Sequence, residues 1–271
     1  MLTAAEPMAK VALSHEAAAA WRAGIITAIG NTAPPDRPAR PERPALKAPR
    51  DMPKRRAGGE RASHIALLHA LAHIELNAID LAWDLIARFA GEVLPQAFYG
   101  DWVDVAEEEA SHFGSLARRL AEMDASYGDL PAHDGLWEAA AATQHDFLAR
   151  LAVVPLVLEA RGLDVTPGMI ARLERGGDEP SAALLRIIYR DEIGHVATGR
   201  HWFEWECARR ALPPVETYRD LVRRYFKGLL KPPFNRDARD KAGFGTAYYA
   251  PLAGEAVALK LAFQVAGFDT D

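Results

Sequence analysis

Residues 107–112 read EEEASH, and residues 191–195 read DEIGH, so the pattern Glu-x-x-His occurs twice in the chain. Residues three apart on an α-helix lie on the same face. Each occurrence therefore presents one carboxylate and one imidazole in the same direction, which is an arrangement suited to binding a metal ion. The residues concerned are Glu109, His112, Glu192 and His195.

Two single glutamates complete a repeated arrangement. Glu75 and Glu159 each lie within an apolar helical stripe and are 84 residues apart, and the two Glu-x-x-His pairs are 83 residues apart. Because an unpaired carboxylate is costly to bury, carboxylates at core-facing positions indicate a shared cation. Four carboxylates and two imidazoles suit two iron ions, two manganese ions or a mixed pair. The predicted ligands are Glu75, Glu109, His112, Glu159, Glu192 and His195.

The apolar residues around these ligands recur at steps of three and four, the period of an amphipathic α-helix. The pattern predicts an all-α protein with four core helices, the third bent by Pro155 just before Glu159. A short helix is expected at Thr166-Pro167. The predicted core helices cover residues 65–89, 98–123, 135–162 and 180–212.

Segments outside the core helices differ in character. A helix is predicted at 14–29, and residues 32–56 contain seven prolines, so this stretch should run extended across the core or form a mobile arm. Two further helices are predicted near 215–230 and 247–266. The chain thus divides into an N-terminal helix and arm, 1–59, and a helical bundle with a C-terminal extension, 60–271.

Composition narrows the classes of function. The formal net charge is −5, so the chain lacks the basic excess with which proteins bind nucleic acid. Cys207 is the single cysteine, which excludes an internal disulfide and a four-cysteine metal site. No run of 18 uncharged apolar residues and no signal-peptide core is present, so we expect a cytoplasmic protein without a membrane span.

Three other positions bear on the predicted site. Asp191 precedes Glu192, and we expect it to accept the ring proton of His112 and so fix the tautomer of that ligand. Tyr189 lies one turn before Glu192 and is a candidate redox-active or hydrogen-bonding neighbour. His69 and His73 are four residues apart, but both lie off the stripe that contains Glu75, which favours a structural role.

These residues resemble the ferritin-like superfamily over residues 60–210, and the resemblance implies a four-helix bundle with additional N- and C-terminal helices. More narrowly, the segments 38–56, 69–75 and 232–239 look like an uncharacterised bacterial ferritin-like family known as a domain of unknown function. The superfamily implies dioxygen or peroxide chemistry at two irons held by the six predicted ligands. Leu116 occupies the position where radical-generating relatives have tyrosine, and a single cysteine rules out a rubrerythrin-type electron-transfer domain.

The leading hypothesis is an oxidoreductase that oxidises a small-molecule substrate. An external electron donor and a homodimer are both compatible with this hypothesis. The alternatives are a ferroxidase or iron-binding protein without organic substrate, and an RNA-base hydroxylase, which the acidic balance disfavours. Asn235, Arg236 and Arg239 could bind an anionic substrate, although capping or ion pairing is the commoner role of such residues. The candidates for lining a substrate pocket are Leu68, Ile79, Val105, Leu116, Ile188 and Trp202.

Overall fold

A computed structural model describes residues 1–48, 51–52 and 59–253. The described residues form helices and contain no strand, which confirms the all-α prediction. A last helical segment covers 246–253, and the rest of the helix predicted at 247–266 lies outside the described residues. The elements are α1 (Pro7–Arg22), α2 (Gly59–Arg88), α3 (Gln96–Glu122), α4 (Gly135–Ala142), α5 (Phe147–Val153), a π-helix (Val154–Glu159), α6 (Ala160–Arg175), α7 (Glu179–Arg209), α8 (Pro214–Tyr225) and α9 (Arg236–Lys241).

The chain divides into two compact units. The first unit comprises Met1–Gln144 and Gly168–Asp191, and the second comprises His145–Pro167 and the residues from Glu192 onward. The division into folding domains at residue 59 stays a prediction.

Helices α2 and α3 form the centre of the first unit, where they pack against each other, and α1 packs against α3. Their contact faces are apolar, with Leu76 of α2 and Phe98 of α3 fully buried. By length and composition α2 could cross a membrane, but 78% of its most apolar window is buried inside the protein. Burial of this extent is typical of a helix in the core of a fold.

A second face of α2 carries a buried polar stripe that the sequence reading missed. The stripe recurs at steps of three and four residues, and every member is at most 5% exposed. Asp80 forms an ion pair of 2.5 Å with Lys10 of α1, and both side chains are fully buried. Buried polar groups require such partners, so this stripe determines which segments can cover α2. Its members are His69, His73, Asn77, Asp80 and Asp84.

The proline-rich arm supplies part of that cover. Arg40 donates a hydrogen bond of 2.6 Å to Asn77 and lies 3.4 Å from Asp80. Arg88 donates to the carbonyl of Pro35 at 3.0 Å, and Leu46 forms an isolated β-bridge with Ala132. Of the two predicted alternatives, the described part of the arm therefore takes the first and runs across the helices of the first unit.

The structural role predicted for His69 and His73 is confirmed. His69 Nε2 accepts hydrogen bonds from the backbone N–H groups of Gly128 and Leu130, at 2.9 and 3.4 Å. His73 Nε2 lies 3.1 Å from the carbonyl oxygen of His133, and its Nδ1 lies 2.8 Å from the Tyr127 hydroxyl. The two rings thus hold the loop after α3 against α2.

His73 makes the stability of the protein depend on pH. Burial, opposed by the hydrogen bond to His133, lowers the pKa of His73 from 6.5 to about 4. The unfolded chain therefore binds a proton that the folded chain does not, and stability decreases as the pH falls from 6.5 to about 4. We expect His73→Gln, which keeps a donor and an acceptor, to remove about 3 kcal/mol of that decrease.

The measurement is urea unfolding of metal-free protein at several pH values between 4 and 7. The control is His201→Gln, which makes the same substitution at an exposed histidine. Parallel profiles for the wild type and His73→Gln would show that the buried ring is not the source of the dependence.

Helix α1 begins earlier and ends earlier than predicted. Glu6 caps it by accepting a hydrogen bond of 2.6 Å from the N–H of Ala9, and Pro7 occupies the first turn. It ends at Arg22 because Gly24 adopts a left-handed conformation with φ of +69°. The prediction had read the apolar residues of 25–29 as part of the helix.

The predicted third helix, 135–162, is wrong as one continuous element. It is interrupted between α4 and α5, where Asp146 caps α5 by accepting a hydrogen bond of 3.2 Å from the N–H of Ala149. Pro155 lies in the π-helix that follows, which is the local disturbance expected of a proline within a helix.

Pro167 lies inside α6 and does not begin a separate short helix, as had been predicted. A proline within a helix deprives the carbonyl four residues earlier of its usual donor. That carbonyl belongs to Leu163, and it accepts a hydrogen bond of 3.1 Å from the side-chain amide of Asn235. Asn235, distant in the sequence, thus satisfies the carbonyl that a proline within the helix would otherwise leave without a donor. The prediction had placed a helix boundary at Pro167 because of that unsatisfied carbonyl.

Candidate metal site

Four buried residues form a group that can hold a metal ion. Each offers one ligand atom, and these atoms all lie within 4.8 Å of one another. Glu75 comes from α2, Glu109 and His112 come from α3, and Glu192 follows Asp191 in α7. All belong to the set predicted from the sequence.

The start of α7 is attached to α3 within the first unit. Arg119 of α3 forms a 2.9 Å ion pair with Asp178, and it donates a second hydrogen bond of 2.9 Å to the Ser181 hydroxyl. Asp178 also caps α7 through the N–H of Ser181, at 3.2 Å. These contacts fix the phase of α7, so that Asp191, three turns later, faces His112.

His112 is the centre of the contacts in the first unit. Its Nδ1 lies 3.4 Å from Glu75 Oε2 and 3.5 Å from Glu109 Oε2. Its Nε2 lies 3.2 Å from Asp191 Oδ2, so the contact predicted between these two side chains is present. A charged carboxylate can only accept, so Nε2 donates a ring proton to Asp191. Nδ1 faces the two glutamates and carries the second ring proton while no cation is bound.

The group concentrates negative charge away from water. Burial, with the nearby charge of Glu109 added, raises the pKa of Glu75 well above its ordinary value. Burial disfavours the charged His112 ring, but hydrogen bonds to Glu109 and Glu75 outweigh this effect and raise its pKa to about 11. Without a cation the group therefore has to retain protons.

The donor set fits a divalent metal. Carboxylate oxygens and a histidine nitrogen are ligands that iron and manganese accept. A cation among the carboxylates offsets the repulsion and the burial cost that otherwise raise the pKa of Glu75. The exposed fraction of the four residues is at most 9%, so they form an interior site and not a solvated acidic surface.

The remaining two predicted ligands lie in the second unit. His195 is buried, and its Nδ1 lies 3.7 Å from Glu192 Oε1, so the second Glu-x-x-His pair shares one face of α7 as predicted. Glu159 is half-buried at the last position of the π-helix. Neither residue belongs to the group of four, and their role as ligands stays a prediction.

The other residues predicted to lie at or near the site are half-buried or buried. Tyr189 is half-buried in the first unit, outside the group of four. Burial would raise the pKa of Asp191, but hydrogen bonds to Arg190 and His112 lower it, so Asp191 stays a charged acceptor at neutral pH. The residues named as pocket lining, which are Leu68, Ile79, Val105, Leu116, Ile188 and Trp202, are all buried.

Two members of the predicted anion-binding cluster are occupied by structural contacts in the second unit. Arg239 is 3% exposed, forms a 2.7 Å ion pair with Asp164, and lies 4.4 Å from the ring centroid of Tyr249. Asn235 caps α9 through the N–H of Ala238, at 3.2 Å. Asn235 and Arg239 therefore have the capping and ion-pairing roles that are commoner for such residues, while Arg236 is exposed.

The fold and the site define an all-helical protein with a buried carboxylate and histidine group that can hold a metal ion. The chain belongs to the family described as "Protein of unknown function (DUF455)", whose model matches residues 3–250. It is 45% identical over 209 residues to an uncharacterised protein of Haemophilus influenzae (strain ATCC 51907 / DSM 11121 / KW20 / Rd). That match covers 75% of this chain and 72% of the relative. No solved structure matches.

Proposed function

We propose that this protein is a ferritin-like di-metal carboxylate oxidoreductase that uses dioxygen or peroxide to oxidise a small molecule. The observation that supports the proposal most is the group of four buried donors within 4.8 Å of one another. Glu159 and His195 are proposed to complete the set, since each extends the same repeated pattern. In this view α2, α3, α7 and the segment containing Glu159 are the four helices of the bundle.

The residues of the chain have distinct tasks. Asp191 accepts a hydrogen bond from Nε2 of His112, so that Nδ1, once it has lost its proton, would offer its lone pair to a cation held by the two carboxylates. Glu75 and Glu109 supply the charge that binds divalent cations, and the buried apolar residues around them limit access of water. When bound, two iron or manganese ions would supply the redox chemistry with dioxygen or peroxide.

The first test is the metal content and oxygen reactivity of the full chain. Elemental analysis of protein purified without added metal should find iron or manganese, approaching two ions per chain after loading. The anaerobically loaded ferrous protein should consume oxygen. The Glu109→Gln variant should neither bind the metal nor consume oxygen. Glu108→Gln is the matched control, because it makes the same change at the adjacent, exposed position. Wild-type protein that binds no metal under these conditions would contradict the proposal.

A second prediction concerns Asp191. We expect Asp191→Asn to weaken metal binding by about 10- to 100-fold, because an amide accepts more weakly than a carboxylate and can also present its NH2 group, so it fixes the His112 tautomer less firmly. The measurement is competition of the loaded protein with a chelator of known affinity. An affinity equal to that of the wild type would remove Asp191 from the proposed site while leaving the ligand residues in place.

The remaining expectations are a small-molecule substrate, an external electron donor, a homodimer, the absence of nucleic acid as partner and a cytoplasmic location. All of them stay predictions. The ferroxidase alternative would use the same group of four, whereas the RNA-base hydroxylase alternative gains no specific support from the described residues.

A further inference from the structure

A cavity in the first unit lies apart from the group of four. It is lined by α1, by the segment that follows α1, and by parts of α2 and α3. We propose that this cavity is a binding site for a small, uncharged aromatic molecule of one or two rings. Trp83 of α2 lies eight residues after Glu75, which corresponds to about 12 Å along the helix. The cavity is therefore a second site and not part of the metal group.

The lining of the cavity determines the chemical class of the ligand. Aromatic rings are contributed by all three helices: Trp21 from α1, Trp83 from α2 and Tyr99 from α3. None of the described residues that line it is charged. A charged ligand would lose its hydration without gaining a partner, whereas an aromatic ligand gains ring contacts on several sides.

The aromatic walls are held in place before any ligand enters. The Trp83 indole N–H donates a hydrogen bond of 2.9 Å to Ser14, whose hydroxyl in turn donates to the Lys10 carbonyl at 2.8 Å. The rings of Trp21 and Tyr99 pack at 6.4 Å with a tilt of 51°. A Cβ at Gly100 would lie 3.4 Å from the Trp21 indole nitrogen. A preformed wall lowers the entropic cost of binding.

The size of the cavity fits one or two rings. Its volume is about 240 Å³, and it opens to solvent. An apolar cavity of roughly 150 Å³ in another protein stays dry and binds benzene. The larger space here has the volume for a two-ring molecule such as indole.

The mouth of the cavity is apolar as well. After α1 the chain turns at Gly24, and the N–H of Ile25 donates back to the carbonyl of Ala20 at 2.9 Å. The segment then brings Ile26 and Ile29, which are 37% and 40% exposed, to the cavity. These two isoleucines extend the apolar lining of the cavity to the surface, and a bound ring would cover this contiguous apolar area.

The test is calorimetric titration of the full chain with indole and with indole-3-carboxylate. We expect saturable binding of one indole per chain, and at least about tenfold weaker binding of the carboxylate. Ala87→Phe places a ring in the cavity and should weaken indole binding at least about tenfold. Ala117→Phe is the matched control, since Ala117 is a half-buried helical alanine that does not line this cavity.

Ile29→Glu is a second variant in case Ala87→Phe fails to fold, and the charge at the mouth should also weaken indole binding. No saturable binding to the wild type at about 1 mM indole would overturn the proposal. Equal binding by Ala87→Phe and the wild type would also overturn it. The wild type could instead form a dimer that Ile29→Glu dissociates. If it does so and binds no indole, the apolar mouth is the contact surface for a second copy of the chain.

Discussion

Glu75→Gln should abolish metal loading and, in the metal-free protein, raise the free energy of unfolding by about 1–3 kcal/mol. The wild-type group holds several carboxylates and one imidazole in the protein interior. Burial and the charge of Glu109 raise the pKa of Glu75, so the folded metal-free protein has to bury either a charge or an extra proton there. Glutamine keeps the shape and removes that cost.

The charge balance after the substitution supports the sign of this effect. His112 would still have Glu109 at 3.5 Å and Asp191 at 3.2 Å, so the ring keeps acceptors on both nitrogens. The measurement is urea unfolding with a chelator present, paired with metal analysis of the same samples. Glu108→Gln, at an exposed position, should change neither quantity. A Glu75→Gln variant that loads metal normally would show that Glu75 is not a ligand.

The second large effect is expected at the buried ion pair between α1 and α2. Lys10→Met should lower the free energy of unfolding by about 3 kcal/mol, because Asp80 would lose its fully buried partner and keep Arg40, at 3.4 Å, and the N-terminal amine as charged neighbours. Removing both members should cost less than the sum of the single changes, since no buried charge is then left alone.

The measurement is a double-mutant cycle by urea unfolding with Lys10→Met, Asp80→Leu and the double variant. Lys47→Met is the control, because Lys47 is exposed on the arm. If the single and double changes are additive, the pair does not hold α1 to α2 in the way that the contact implies.

The parts of the fold that sequence reasoning predicted are those in which local and tertiary forces agree. In α2, α3 and α7 the apolar period coincides with strong helix propensity. The observed bounds lie within three residues of the predicted ones, except that α2 begins six residues earlier than predicted. The positions of the four residues in the candidate metal group followed from the same period. The contact of Asp191 with His112 was predictable because adjacent residues on a helix point in known directions.

The predictions that were wrong or missing failed because of tertiary contacts. Pro167 is tolerated within α6 because Asn235, far away in the sequence, satisfies the carbonyl of Leu163. The polar stripe on α2 could not be predicted to be buried. Asn77, Asp80 and Asp84 recur with the helical period, but their partners lie in α1 and in the arm. A single sequence gives no distance between such segments, so the pairings could not be derived.

The most direct test of the proposed site is the anomalous scattering of crystals grown from iron-loaded protein. A peak at the iron edge should appear at about 2.0–2.4 Å from donor atoms of Glu75, Glu109, His112 and Glu192. Crystals in which these four side chains are ordered but no iron peak lies among them would contradict the assignment of this group as a metal site.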